Sequence, residues 1–85
     1  MGSTYVIQSG HNGPVKIGYT DDDPRIRMRA LQIGSAEKLY LVRDFQGESG
    51  ERHLHRRFAH LRLHGEWFSN EVFRYLGGDM YEEDE

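Results

Sequence analysis

The chain has no cysteine, which excludes disulfides as staples and thiolates as metal ligands. No apolar run approaches the roughly 18 residues that a membrane span needs, and no signal-peptide pattern opens the sequence. A soluble, cytoplasmic protein is therefore the expectation. With 85 residues there is room for one domain with a thin core, since a chain this short buries only about 60% of its unfolded surface. No internal repeat and no linker divides it. The expected organisation is a single domain over residues 1–78 followed by an acidic tail, 79–85, whose composition favours disorder.

Charge is present but unevenly placed. The formal net charge is −3, yet five of the fourteen acids (Asp79, Glu82, Glu83, Asp84, Glu85) fall in the tail. The remaining body carries eleven Lys/Arg against nine Asp/Glu. Its bases cluster at Arg25, Arg27 and Arg29 and again at Arg52, Arg56, Arg57 and Arg62. A mildly basic body suits phosphates, although solvated helix faces account for such clusters equally well.

Thr4-Tyr5-Val6-Ile7-Gln8 and Val15-Lys16-Ile17-Gly18-Tyr19-Thr20 are β-rich runs separated by the turn-forming His11-Asn12-Gly13-Pro14. They predict an antiparallel hairpin, with Asn12-Gly13 as the positive-φ pair. Alternation sets Tyr5 and Ile7 against Thr4, Val6 and Gln8, and sets Lys16 and Gly18 against Val15, Ile17 and Tyr19. Gly18 permits a close approach to the backbone or marks a bulge. Asp23-Pro24 is a capping residue followed by a first-turn proline, and Gly34 is a stop, so residues 24–33 read as a helix. On its wheel Pro24, Met28 and Leu31 face inward, with Arg27 about 40° from Leu31 on the same side. Residues 37–45 predict a third strand. Residues 61–70 read as a loop leading into a short helix, 71–76, that Gly77-Gly78 ends.

The segment from Ser49 to about residue 60 is the informative helix. At about 100° per residue, Leu54, Phe58 and Leu61 share one face, and Glu51 and His55 join it, while Arg52, His53, Arg56 and His60 point away. A carboxylate aimed inward is costly unless a cation or a donor meets it. The inward Arg27 is its expected counterpart. His60 and His64 have a zinc-compatible spacing, but no third ligand accompanies them and Gly65 closes the helix.

The order hairpin, arginine helix, strand, glutamate helix resembles the GIY-YIG nuclease superfamily, in particular its compact phage- and virus-associated branch. The resemblance is carried by Tyr5-Val6-Ile7, Val15-Lys16-Ile17-Gly18-Tyr19-Thr20, Asp23-Pro24 with Arg27, Leu31 and Gln32, Glu51-x-x-Leu54-His55-x-x-Phe58, and Gly65-Glu66-Trp67-Phe68. It implies an α/β (α+β) fold with a three-stranded antiparallel sheet flanked by helices. It also implies a divalent-metal-dependent endonuclease. Tyr5 would then position or deprotonate the attacking water, Arg27 would stabilise charge on the phosphate, and Glu51 would hold one Mg²⁺ or Mn²⁺. Lys16 stands where the second motif has tyrosine, as a phosphate contact or, beside Arg27, a base. Tyr19, Arg52, His55 and Asn70 are the candidate substrate contacts. The implied partner is nucleic acid, DNA ahead of RNA, bound by a monomer or transient homodimer without a membrane.

Plainer readings stand beside these. Glu51 and Arg27 form a metal-free buried ion pair, Tyr5 is a core aromatic with its hydroxyl satisfied, and Lys16 is a surface strand lysine. Trp67 and Phe68 anchor the C-terminal helix, with base stacking the other reading for Trp67. From another functional class, the alternative is a non-catalytic nucleic-acid-binding or protein-interaction module.

Overall fold

The computed structural model describes residues 2–76. Strands β1 (Ser3–Ser9) and β2 (Val15–Thr20) form the expected hairpin. Its loop is closed by the Gly13 N–H donating to the Ser9 carbonyl at 3.0 Å. The left-handed residue is Gly10, at φ 65°, rather than Asn12 or Gly13, and glycine takes that conformation without the Cβ penalty. Helix α1 (Pro24–Ile33) starts as its sequence predicts, with the Asp23 carboxylate accepting from the Arg25 N–H at 2.8 Å and proline in the first turn. Strand β3 (Leu39–Gln46) and helix α2 (Ser49–Arg57) follow.

The sheet has five strands, not three, in the antiparallel order β3-β1-β2-β5-β4. The additional strands are β4 (Arg62–His64) and β5 (Trp67–Phe68), joined through Gly65 at φ 56°. At three and two residues they are too short to show an alternation pattern, so the sequence reads as loop. A 3₁₀ turn, Asn70–Val72, opens a helical stretch that runs to residue 76. The expected stop at Gly77-Gly78 and the acidic tail lie outside the described residues. Among the described residues, no helix is long and apolar enough to cross a membrane.

Strand register decides which side chains share a face. Tyr5 pairs with Gly18 and Ile7 with Lys16, so these four look out on the same side. There Met28 and Leu31 of α1 pack against Tyr5, Ile7 and Leu39. On the other side Leu54 of α2 and Phe58, its C-cap, join Val6, Val15, Ile17, Phe68, Val72 and Leu76 in the larger core. The two helices therefore lie on opposite faces of one sheet.

Helix α2 has no capping side chain of its own, because Glu48 makes no cap bond. The fully buried Thr4 supplies it from β1: its hydroxyl accepts from the Glu51 N–H at 3.0 Å and donates to the Gly47 carbonyl at 2.8 Å. Gly50 makes the approach possible, since a Cβ there would lie 3.1 Å from that hydroxyl oxygen and 3.3 Å from the Thr4 Cβ. Thr4→Val keeps the shape and deletes both bonds. The expected loss is about 1–3 kcal/mol, read as a fall in Tm of roughly 4–8 °C per kcal/mol for a domain this small. An unchanged melting curve would refute the capping role.

Candidate active site

Because β5 is two residues long, it covers only the first part of β2. Ile17 still donates its N–H to the Glu66 carbonyl at 3.0 Å. Its own carbonyl is taken instead by the His55 ring, with Nε2 at 2.7 Å. A carbonyl only accepts, so Nε2 carries the proton. This bond draws α2 to the sheet edge. Glu51, one turn earlier on the same helix face, comes with it.

At that edge side chains from both faces meet. Lys16, on the α1 side, donates from Nζ to Glu66 Oε1 at 2.8 Å and keeps only 12% of its side chain exposed. Glu51 and His55 arrive from the α2 side, with His55 Nε2 4.0 Å from Glu51 Oε2. Ligand atoms of Glu51, His55 and Glu66 lie within 4.8 Å of one another. Tyr5 completes the group. A Cβ on Gly18 would sit 2.5 Å from the Tyr5 hydroxyl oxygen and 2.8 Å from Glu66 Oε1. Only a glycine leaves room for that convergence. Tyr5 is 1% exposed, and among the described residues no protein group hydrogen-bonds its hydroxyl. Since no enclosed side-chain N or O there lacks a partner, the hydroxyl is the part that stays accessible.

The electrostatics follow from two carboxylates sharing one ammonium. Burial pushes the Glu51 carboxyl above its usual range, and the adjacent Glu66, by hydrogen bonding and by its charge, raises it further. His55 and Lys16 oppose this without cancelling it. For Glu66 burial acts upward as well, but the Lys16 hydrogen bond and the Glu51 partner outweigh it and hold that carboxyl below its usual range. Of the two carboxyls, Glu51 is thus the one that takes up a proton first as pH falls, while Glu66 holds its charge longer.

The expected pairing of Arg27 with Glu51 is not formed. Arg27 is exposed, and among the described residues no ion pair joins it to Glu51. The cause is the placement of α1 and α2 on opposite faces. Lys16 is the cation that reaches the carboxylates. Arg52 is exposed on the outer face of α2. The Tyr19 hydroxyl donates to Asp21 Oδ1 at 3.0 Å. Asn70 donates to the Asn12 carbonyl at 2.7 Å, which ties the C-terminal segment to the hairpin loop, beyond the Val15 end of β2 and away from Gly18. The structure thus gathers Tyr5, Lys16, Glu51 and His55 and leaves Arg27, Arg52 and Asn70 outside the cluster. Glu66 is the residue that sequence reasoning passed over. Its signal was a carboxylate between the Gly65 turn and two aromatics.

A family model for the T5orf172 domain matches residues 2–76. The chain belongs to the T5orf172 domain family. This overturns the GIY-YIG resemblance, because T5orf172 is a different family. The order of segments was shared, but Lys16 already departed from the second motif. T5orf172 domains are phage-associated. No curated protein and no solved structure matches the chain.

The donor set in this T5orf172 domain fits a hard divalent cation. Mg²⁺ and Mn²⁺ favour carboxylate oxygen and retain several waters, and Glu51 offers a half-buried carboxylate whose nearest anionic neighbour repels it. A raised folded-state value means that the stabilisation due to protonated Glu51 is complete below the ordinary glutamate range and is lost as pH rises through the raised value. In chelator at neutral pH, Glu51→Gln, whose amide still donates to Glu66, is therefore expected to raise Tm by several degrees. The gain should shrink toward zero below about pH 4, the ordinary carboxylate value. Thermal melts across pH check this, and a lowered Tm at neutral pH would contradict the repulsive pair.

Proposed function

We propose that this domain is a divalent-metal-dependent nuclease that hydrolyses nucleic-acid phosphodiester bonds, with DNA the first substrate to test. One observation carries the reading: Glu51, Glu66, the Lys16 ammonium and the unpartnered Tyr5 hydroxyl converge on one point of the sheet edge. Charged groups gathered beside a phenol whose hydroxyl is its accessible tip are more typical of a site than of a scaffold. The family's kinship with nuclease-like domains supports the same class.

Glu51 is the ligand that would hold Mg²⁺ or Mn²⁺. Bound there, such an ion supplies charge stabilisation at the phosphate oxygens. Tyr5 orients the attacking water through its hydroxyl and is placed to exchange a proton with it. Lys16, fixed by Glu66 and with its Nζ 5.7 Å from the Trp67 ring centroid, presents a cation to the phosphate. His55 holds Glu51 in register by anchoring α2 to the Ile17 carbonyl. The exposed Arg52, His53 and Arg56 on the outer face of α2 offer contacts to the remaining backbone phosphates.

A second reading, a non-catalytic nucleic-acid-binding module, is favoured by the Lys16–Glu66 ion pair, which satisfies both charges internally. Plasmid nicking separates the two. Cleavage is expected only with Mg²⁺ or Mn²⁺, falling at least about 100-fold in Glu51→Ala and about 10²–10⁴-fold in Tyr5→Phe. Salt-sensitive binding without cleavage, indifferent to Glu51→Ala, would replace the nuclease with the binding module.

A further inference from the structure

We infer that Glu66 is a second cation ligand, so that the ion is held between two carboxylates, Glu51 and Glu66, with the Tyr5 hydroxyl facing their gap. The inference rests on the reading of Glu51 as a cation ligand and extends it. Three side chains bring ligand atoms within 4.8 Å of one another, and their chemistry sorts them. His55 commits Nε2 as a donor to the Ile17 carbonyl at 2.7 Å, so that nitrogen has no lone pair for a metal. Glu66 is engaged through Oε1 with Lys16 at 2.8 Å, and a carboxylate so held keeps lone pairs on its other oxygen.

An acidic pair alone does not make a site. The independent observation here is Tyr5. Tyr5 is 1% exposed, its hydroxyl has no protein hydrogen-bond partner among the described residues, and it lies over Gly18 beside Glu66 Oε1. No fully enclosed side-chain N or O among the described residues lacks a partner, so the hydroxyl is the accessible tip of an otherwise buried ring, and a cation or its bound water can reach it there. Lys16 fits the same arrangement. It neutralises one carboxylate charge in the absence of metal and, by fixing Oε1, leaves Glu66 turned toward Glu51.

Mn²⁺ alone is the probe, with free ion counted by electron paramagnetic resonance on the full chain without nucleic acid. Both Glu51→Gln and Glu66→Gln are expected to weaken Mn²⁺ binding by about 10–100-fold, while circular dichroism shows each variant folded. Trp67, the one tryptophan of the chain, adjoins Glu66 and gives a second measurement that needs no variant. Tb³⁺ emission excited through Trp67 should appear on the wild-type protein and be displaced by Mn²⁺. Mn²⁺ affinity in folded Glu66→Gln within twofold of wild type, or Tb³⁺ bound without sensitised emission, overturns the second ligand. If only Glu51→Gln loses the ion, the nuclease reading stands without this extension. If both variants lose it and plasmid is never cut, the two-carboxylate site stands and the nuclease reading falls.

Discussion

Two helices on opposite faces of one sheet cannot bring their side chains together through it. They meet only around an edge, and this domain has an edge made for the purpose. Strand β5 stops after two residues, and the Ile17 carbonyl that a longer strand would have used is held by His55 at 2.7 Å. That bond has two consequences. It satisfies a backbone acceptor that the short strand abandons, and it draws α2 to where Lys16 and Tyr5, from the other face, are within reach. Thr4 supports the same helix from below its first turn, bonding the Glu51 N–H itself. The carboxylate is thus fixed at its backbone by a buried hydroxyl and one turn later by a histidine. Such double support is what a site needs to hold its geometry.

The cluster it fixes is electrostatically incomplete. Glu51 and Glu66 face a single ammonium, and His55 spends its Nε2 proton on a carbonyl. A proton on Glu51 closes the account only by neutralising the group best placed to act. Folding tolerates this because the carboxylates are half-buried rather than fully desolvated. Residues that lower stability in one place while gathering charge there are those expected at functional sites rather than in a scaffold.

Much of this was legible in the residues. Asp23, Pro24 and Gly34 fixed the first helix through cap chemistry, and period-2 alternation grouped Tyr5 with Ile7 and Lys16 with Gly18, two sets that the strand register then turns to one face. The inward set of Glu51, Leu54, His55 and Phe58 followed from helical periodicity, and Gly18 announced a close approach that turned out to be the Tyr5 ring. What could not be read was long-range. A helical wheel states that Arg27 flanks the buried stripe of α1, but not that α1 lies on the opposite face from α2. The strands that create the edge are too short for any periodic signal, so Glu66, whose role depends on the turn before β5, looked like loop. The family resemblance failed for a related reason: a shared order of hairpin, helix, strand and helix is a property of topology, and topology alone does not name a family.

The placement of the remaining cations bears on how a polyanion would approach. Arg52 and Arg56 are one and five residues beyond Glu51 and stay on the exposed side of α2, where screening limits them to about 8–10 Å at physiological salt. They would attract a phosphate backbone to the helix surface. The edge cluster beside them has two carboxylates against Lys16 and repels the same backbone at contact distance, as like charges in a partly desolvated cleft must. Capture and engagement are therefore opposed until positive charge enters the cluster. A divalent cation there would reverse its sign and let phosphate close on Lys16, whereas protonation of Glu51 would only reduce the repulsion. On the proposed reading the outer arginines would govern how often nucleic acid arrives, and the carboxylate pair whether it seats.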